Sequence, residues 1–304
     1  MDLLTGFAAV VGVVLVGVLL GHLRLVDDAG RRTLNDVSFF AASPALMLLV
    51  ISDVEMDADL AANVATAVVS LGVAMVAYLL VARLVLRRDG GEALIGALTA
   101  GYVNAGNLGI PVAAFVVGDV AVVVPTLLVQ MLFVQPLALA YLDRRRGRGS
   151  GFWAAVRRIV TNPLTVGAAI GLLLALTGWR LPALVEEPLS LLAGLAVPAM
   201  LLAYGVAMRL APPVGGSGHN AEVAVASALK LLVMPLVAWL VGLALGLDGT
   251  LLLGVVIVAA LPTAQNIFVH ASRYRIGEDM AREAIFVTTV AALPVSLGVA
   301  LLLG

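Results

Sequence analysis

Asn104, Asn107, Thr263, Gln265 and Asn266 are neutral hydrogen-bonding side chains set in two otherwise apolar stretches. The first two belong to Asn104-Ala-Gly-Asn107-Leu-Gly109-Ile-Pro111, and the others follow Pro262 in Leu261-Pro262-Thr263-Ala-Gln265-Asn266. Gly109, Pro111 and Pro262 predict that both stretches break as helices. At membrane depth a broken backbone has polar groups that lipid cannot satisfy, so each break must line a cavity enclosed by protein. Broken helices aim half-helix N-termini, with free N–H groups and partial positive charge, into such a cavity, which favours an anion. A small carboxylate fits the expected donors. The alternative is that the amides satisfy the broken backbone and touch no ligand.

Lys230 is the other side chain with chemical potential, an ammonium inside the apolar run Ala224–Gly246. A charge there is costly without a partner. It can serve as counter-charge for an anion or as an internal cation in place of sodium, or it can snorkel over ~14 Å to the cytoplasmic end of its span at 1.5 Å per residue. The 19 acidic residues all fall in connections or at span ends, so no carboxylate is available for a central proton relay. Sodium stays open, because carbonyls, amides and hydroxyls can ligate it, although a charged ligand is missing. His270, beside the second motif, is either a proton carrier or a plain polar residue. Gln130 and Gln135 either face the path or join helices; Tyr102 and Tyr204 either shape a pocket or pack. With no cysteine, no acidic metal cluster and no HExxH or GxSxG, neither metal, cofactor nor enzyme chemistry is expected.

The elements that must position these residues are membrane spans. Hydrophobic residues make up 62% of the 304 residues, charged residues 12%, and mean hydropathy is +1.10, far from soluble usage. A net charge of −1 speaks against a nucleic-acid partner. At roughly 20 apolar residues per crossing, ten spans are expected, at 3–23, 33–51, 61–86, 93–117, 120–142, 160–178, 187–208, 221–246, 250–271 and 282–303. The first is too long for a signal-peptide core and has no basic residue before it, so it reads as a retained span. With both termini extracytoplasmic, 16 arginines lie on the cytoplasmic side and Arg180 alone on the other, Lys230 completing the 18 basic residues. That split is a strong positive-inside signal.

The same map contains a repeat. Pro44 and Pro198, in similar Pro-Ala-Leu-Met and Pro-Ala-Met-Leu settings, are 154 residues apart; Pro111 and Pro262 are 151 apart; Gly17/Gly21 and Gly167/Gly171 are 150 apart. Two halves of five spans follow, 1–142 and 160–304, joined by a cytoplasmic linker at 143–159. Five is odd, so the second half enters the membrane inverted. Gly147–Gly151 and Pro212–Gly218 read as linkers and not as phosphate loops, since neither connects a strand to a helix.

The octapeptide ending in Gly109-Ile-Pro111 resembles the fourth-span motif of the auxin efflux carrier family, which includes plant auxin carriers and bacterial malate and malonate permeases. Ala260–Tyr274 is similar to its ninth-span motif and Ser38–Leu46 to its second-span pattern. The resemblance implies the fold of bile-acid/sodium symporters and sodium/proton antiporters. In that fold, spans one, two, six and seven form a scaffold, spans three to five and eight to ten form a mobile transport domain, and the broken spans four and nine cross at their prolines. The short, arginine-rich linker departs from the long hydrophilic loop of the plant carriers, so regulation by phosphorylation of such a loop is not implied.

The expectation is therefore an all-α, multi-pass protein of a bacterial cytoplasmic membrane that moves small organic anions, without sodium, by elevator-type alternating access. Substrate is expected at Asn104, Asn107, Gly109, Pro111, Pro262, Thr263, Gln265, Asn266 and Lys230. Expected partners are the anion, membrane lipid at the arginine run 144–148, and a second copy in a homodimer. Two rivals are a sodium-coupled symporter of bulkier, bile-type acids and a lipid- or sterol-sensing receptor.

Overall fold

The computed structural model describes residues 3–53, 58–146, 152–210 and 218–303. The two glycine-rich linkers, at 147–151 and 211–217, lie outside these. Among the described residues every regular element is a helix: α1 Leu3–His22, α2 Asp28–Ser52, α3 Ala58–Leu84, α4 Gly90–Gly101, α5 Ala105–Val117, α6 Val120–Arg145, α7 Phe152–Val160, α8 Pro163–Thr177, α9 Ala183–Leu210, α10 Asn220–Ala244, α11 Gly249–Ala260, α12 Asn266–Tyr274 and α13 Glu278–Leu303. Six of them, α2, α3, α6, α9, α10 and α13, are long and apolar enough to cross a membrane, and α1, α5, α8 and α11 contain shorter apolar segments.

Helix boundaries follow local chemistry. Asp27, Asp89 and Asn162 accept backbone N–H groups ahead of α2, α4 and α8, and Gly178 ends α8 in the left-handed region that a glycine adopts freely. Four prolines share a further device. Pro44, Pro111, Pro136 and Pro235 each follow by two residues a π-helical turn, at Ser38–Ala42, Ala105–Gly109, Gln130–Val134 and Leu229–Val233. A proline lacks the N–H that would bond to the preceding turn, and its ring crowds the carbonyl four residues back. Widening that turn by one residue relieves both problems, and it turns Asn107, Gln130 and Lys230 out of simple helical register.

Packing divides the chain into two compact units that interleave its halves. The first comprises residues 1–57, 106–132 and 151–211. In it α1 lies against α9, and α8 against α2, at distances that only glycine permits. A Cβ on Gly17 would collide with the Leu202 carbonyl and one on Gly205 with that of Val14; one on Gly167 would meet the Pro44 carbonyl and one on Gly171 that of Leu48. Of the two glycine pairs noted in the sequence, Gly17, Gly167 and Gly171 are sites of close backbone approach, whereas a Cβ on Gly21 would make only ordinary contact with Arg209 and Val206.

The second unit comprises residues 58–105, 133–150 and 212–304. Its core holds Tyr78, Ile95, Leu98, Leu139, Leu142, Ile267, Tyr274 and Met280. Gly96 gives the Tyr78 ring room against α4. Thr99, Lys230, Thr263 and Thr288 are fully buried, while Leu80, Leu232, Leu240 and Val290 are exposed. Polar groups inside and leucines outside suit lipid as the surrounding solvent.

The structure adds one helix to the expected elements. Residues 152–159, assigned to the linker, and Val160, assigned to span six, form α7, so the sixth apolar segment starts at Pro163 behind its Asn162 cap. Arg157 and Arg158 interrupt the apolar run there, and that interruption hid a helix whose Trp153, Val156 and Val160 recur at helical spacing.

Candidate functional site

Both expected breaks exist. α4 ends at Gly101 and the chain runs extended through Tyr102, while α11 ends at Ala260 and Leu261 turns to an extended backbone. The two interruptions bond to each other through an antiparallel bridge at Val103 and Thr263. Asn104 N–H donates to the Pro262 carbonyl at 2.8 Å and Ala264 N–H to that of Tyr102 at 3.1 Å. Each break therefore supplies the partners the other needs, which is how irregular backbone survives at this depth.

The carbonyl ends of the two half-helices are closed by side chains. Thr263 Oγ1 donates to the Thr99 carbonyl near the end of α4 at 2.6 Å, and Thr263 N–H donates to Thr288 Oγ1 at 3.2 Å. Lys230 Nζ donates to the Ala259 carbonyl near the end of α11 and contacts Met234 Sδ, each at 3.0 Å. Lys230 is fully buried, so its amine is turned inward to the end of α11 and is not snorkelling. Among the described residues there is no group of three or more His, Cys, Asp or Glu that could hold a metal ion.

What the crossing leaves open is an amide pair. Asn104 is 3% exposed, and its Nδ2 has no hydrogen-bond partner. Asn266 Nδ2 donates to Gln135 Oε1 at 3.4 Å, which also accepts from Tyr102 Oη at 2.9 Å, and Asn266 Oδ1 is buried without a partner. A buried, unpaired amide donor costs about 1–3 kcal/mol. The start of α12 offers fewer open donors than a bare N-terminus, because Ile267 and Phe268 N–H groups close onto the Ala264 and Gln265 carbonyls at 3.2 and 3.1 Å.

Of the residues singled out in the sequence, Asn104, Lys230, Pro262, Thr263, Gln265 and Asn266 lie in the second unit around the bridge. Gln265 stands at the N-cap of α12 without a side-chain cap bond. Asn107, Gly109 and Pro111 lie on α5 in the first unit. Span four was expected to cross at Pro111; the hydrogen-bonded crossing is instead at Val103–Asn104, and Pro111 sits inside helix because the π turn before it absorbs the missing N–H. Gln135 and Tyr102 join the amide network, for which the sequence left open a path-facing or a packing role.

Apolar helices of this length, two of them broken and cross-bonded around buried amides, mark a multi-pass membrane protein. Comparison with known proteins agrees. The profile of the family described as "Membrane transport protein" matches residues 3–149 and 152–299. The chain belongs to this family, that of the auxin efflux carriers. It is 32% identical over 152 residues to auxin efflux carrier component 3a of Oryza sativa subsp. japonica, covering 49% of this chain and 24% of that protein. Auxin efflux carrier component 4 of Arabidopsis thaliana is 29% identical over 152 residues, again 49% and 24% of the two chains. These matches span about a quarter of the plant proteins' length. A Rhizobium meliloti (strain 1021) protein named "Putative malonate transporter" is 28% identical over 286 residues, 90% of this chain and 88% of that one.

Proposed function

We propose that this protein carries small organic anions, of which malonate is the first to test, across a bacterial cytoplasmic membrane by elevator-type alternating access without sodium. The observation that carries the proposal is the buried, unpaired Nδ2 of Asn104 beside the bridge between the two broken helices. A substrate carboxylate supplies the acceptor that the Asn104 donor lacks, and the open Asn266 Oδ1, itself an acceptor, takes a donor group of the substrate, such as the remaining acid proton of a monoanionic dicarboxylate. Two inverted halves of five spans, with both termini extracytoplasmic, are supported by the arginine distribution and by the matched glycine contacts of α1 on α9 and α8 on α2. The second unit is the moving domain and the first the scaffold, which also holds α5 and the start of α6. The scaffold is proposed to pair with a second copy.

Independence from sodium has its own support. The carbonyls of Thr99 and Ala259, natural ligands for a cation at broken helix ends, already accept from Thr263 and Lys230. The fixed ammonium does what a bound sodium would do there, and an anion is then driven outward by the inside-negative potential, at about 2.3 kcal/mol per charge per 100 mV.

The test is uptake of labelled malonate into proteoliposomes. Asn104→Ala is expected to reduce uptake at least tenfold, the loss of one good hydrogen bond to a charged group, with melting temperature preserved. Wild-type uptake by that variant would remove Asn104 from the site. Asn107→Ala, measured in parallel, decides separately whether α5 contributes.

A further inference from the structure

The pairing of Gln135 with Asn266 at the crossing is repeated at the far ends of the same two helices. Tyr274 Oη donates to Asp143 Oδ1 at 2.5 Å, and both residues are at most 4% exposed. In each pair the partners are 131 positions apart in sequence. The last part of α6, Gln135–Arg145, and α12 therefore run parallel and in register, tied at two points about 12 Å apart at 1.5 Å per residue.

Arg146 completes the outer tie. Its guanidinium donates to the Arg273 carbonyl at 3.0 Å and to the Tyr274 carbonyl, the last of α12, and lies 5.3 Å from the centre of the Tyr274 ring. A cation closing a helix C-terminus and a buried phenol on a carboxylate are among the stronger polar contacts available to a protein. The inner tie, at 3.4 Å, is long. If α12 slipped by one residue, Asn266 would move about 1.5 Å along the axis and leave Gln135. The outer tie is thus the firmer of the two and holds the register on which the inner one depends.

We propose that Tyr274 is a positioning residue for substrate binding: held by Asp143 and Arg146, it fixes α12 against α6 and so aims Asn266 at the crossing. The proposal rests on the carrier function above for its transport readout and on the fold alone for its structural one. Tyr274→Phe keeps the ring and its burial and removes only the donor. Hydrogen exchange over residues 266–270 is expected to quicken about tenfold, with α11 unchanged. In proteoliposomes the KM for malonate is expected to rise about fivefold with Vmax within about twofold, the pattern of weakened binding. Asp143→Asn, whose amide oxygen still accepts from the phenol but without the charge, is expected to fall between wild type and Tyr274→Phe, and Asp143→Ala to match Tyr274→Phe; these two also serve if Tyr274→Phe does not fold.

A merely structural Tyr274 would raise KM equally with or without Asn266, whereas a positioning one adds nothing further in the Asn266→Ala background. Unchanged exchange at 266–270, an unchanged KM, or equal KM increases in both backgrounds would overturn the proposal. If wild-type protein does not transport malonate, the substrate assignment fails, and the exchange result alone decides for or against Tyr274.

Discussion

Lys230 was the side chain hardest to place from sequence, because counter-charge, internal cation and snorkelling all allow a lysine in the middle of an apolar span. Its contacts with the Ala259 carbonyl and Met234 place it at the end of α11. Lys230→Met keeps the volume and removes the donor, leaving a buried carbonyl short of its partner. Thermal unfolding in detergent is expected to register a loss of about 1–3 kcal/mol; an unchanged melting temperature would mean that the ammonium does not support that helix end. Two asparagines beside glycine and proline stand out by composition in an apolar run. Which of their atoms would be left over was not legible. That depends on Gln135, 131 positions from Asn266 in sequence, taking the Asn266 donor, and no local pattern encodes such a contact.

At the scale of elements, hydrophobic run lengths and punctuation by charge located the helices, and the main error was one of boundary. The interruption of span four was expected over Asn104–Pro111, with the crossing at the proline implied by the family resemblance; the extended residues lie at 102–104, because proline's missing N–H can be absorbed by a π turn, whereas an exchange of backbone bonds with the other break requires extended residues. Close packing was legible through glycine. Gly167→Leu is expected to lower the thermal stability of the folded protein by 2 kcal/mol or more, roughly the cost of overpacking, because its side chain would enter the Pro44 carbonyl. Gly194→Leu in α9, where a Cβ meets nothing within 4 Å, is the control expected to be neutral.

Asp89, in the connection before α4, makes a pH prediction. N–H donation from Glu92, then the Arg145 guanidinium and Gly91 N–H, hold its carboxyl below the usual 3.8. A depressed folded value means that its contribution is complete above the unfolded value and fades as pH falls through the lowered one. Asp89→Ala is expected to cost about 1 kcal/mol at pH 7, the usual worth of an N-cap, and progressively less below pH 4. An equal cost at pH 7 and at strongly acid pH would contradict the capping role.

For the whole molecule, the sequence carried membrane class and family, because apolar composition, one-sided arginines and ordered motifs each survive without knowledge of contacts. The division into two packing units, each drawing on both halves of the chain, was not readable from hydropathy or from the repeat; the family resemblance alone implied units that mix the halves. The chain passes from one unit to the other between Ala105 and Gly106, just past the break in span four, and again between Leu132 and Phe133, inside α6.

The most direct test of sodium-independent anion carriage is the transport current of proteoliposomes on a solid-supported membrane, recorded for malonate and a panel of related carboxylates with and without sodium. Currents of equal size in sodium and in its absence, lost in Asn104→Ala, are expected. Currents that appear only with sodium, or that persist unchanged in Asn104→Ala, would contradict it.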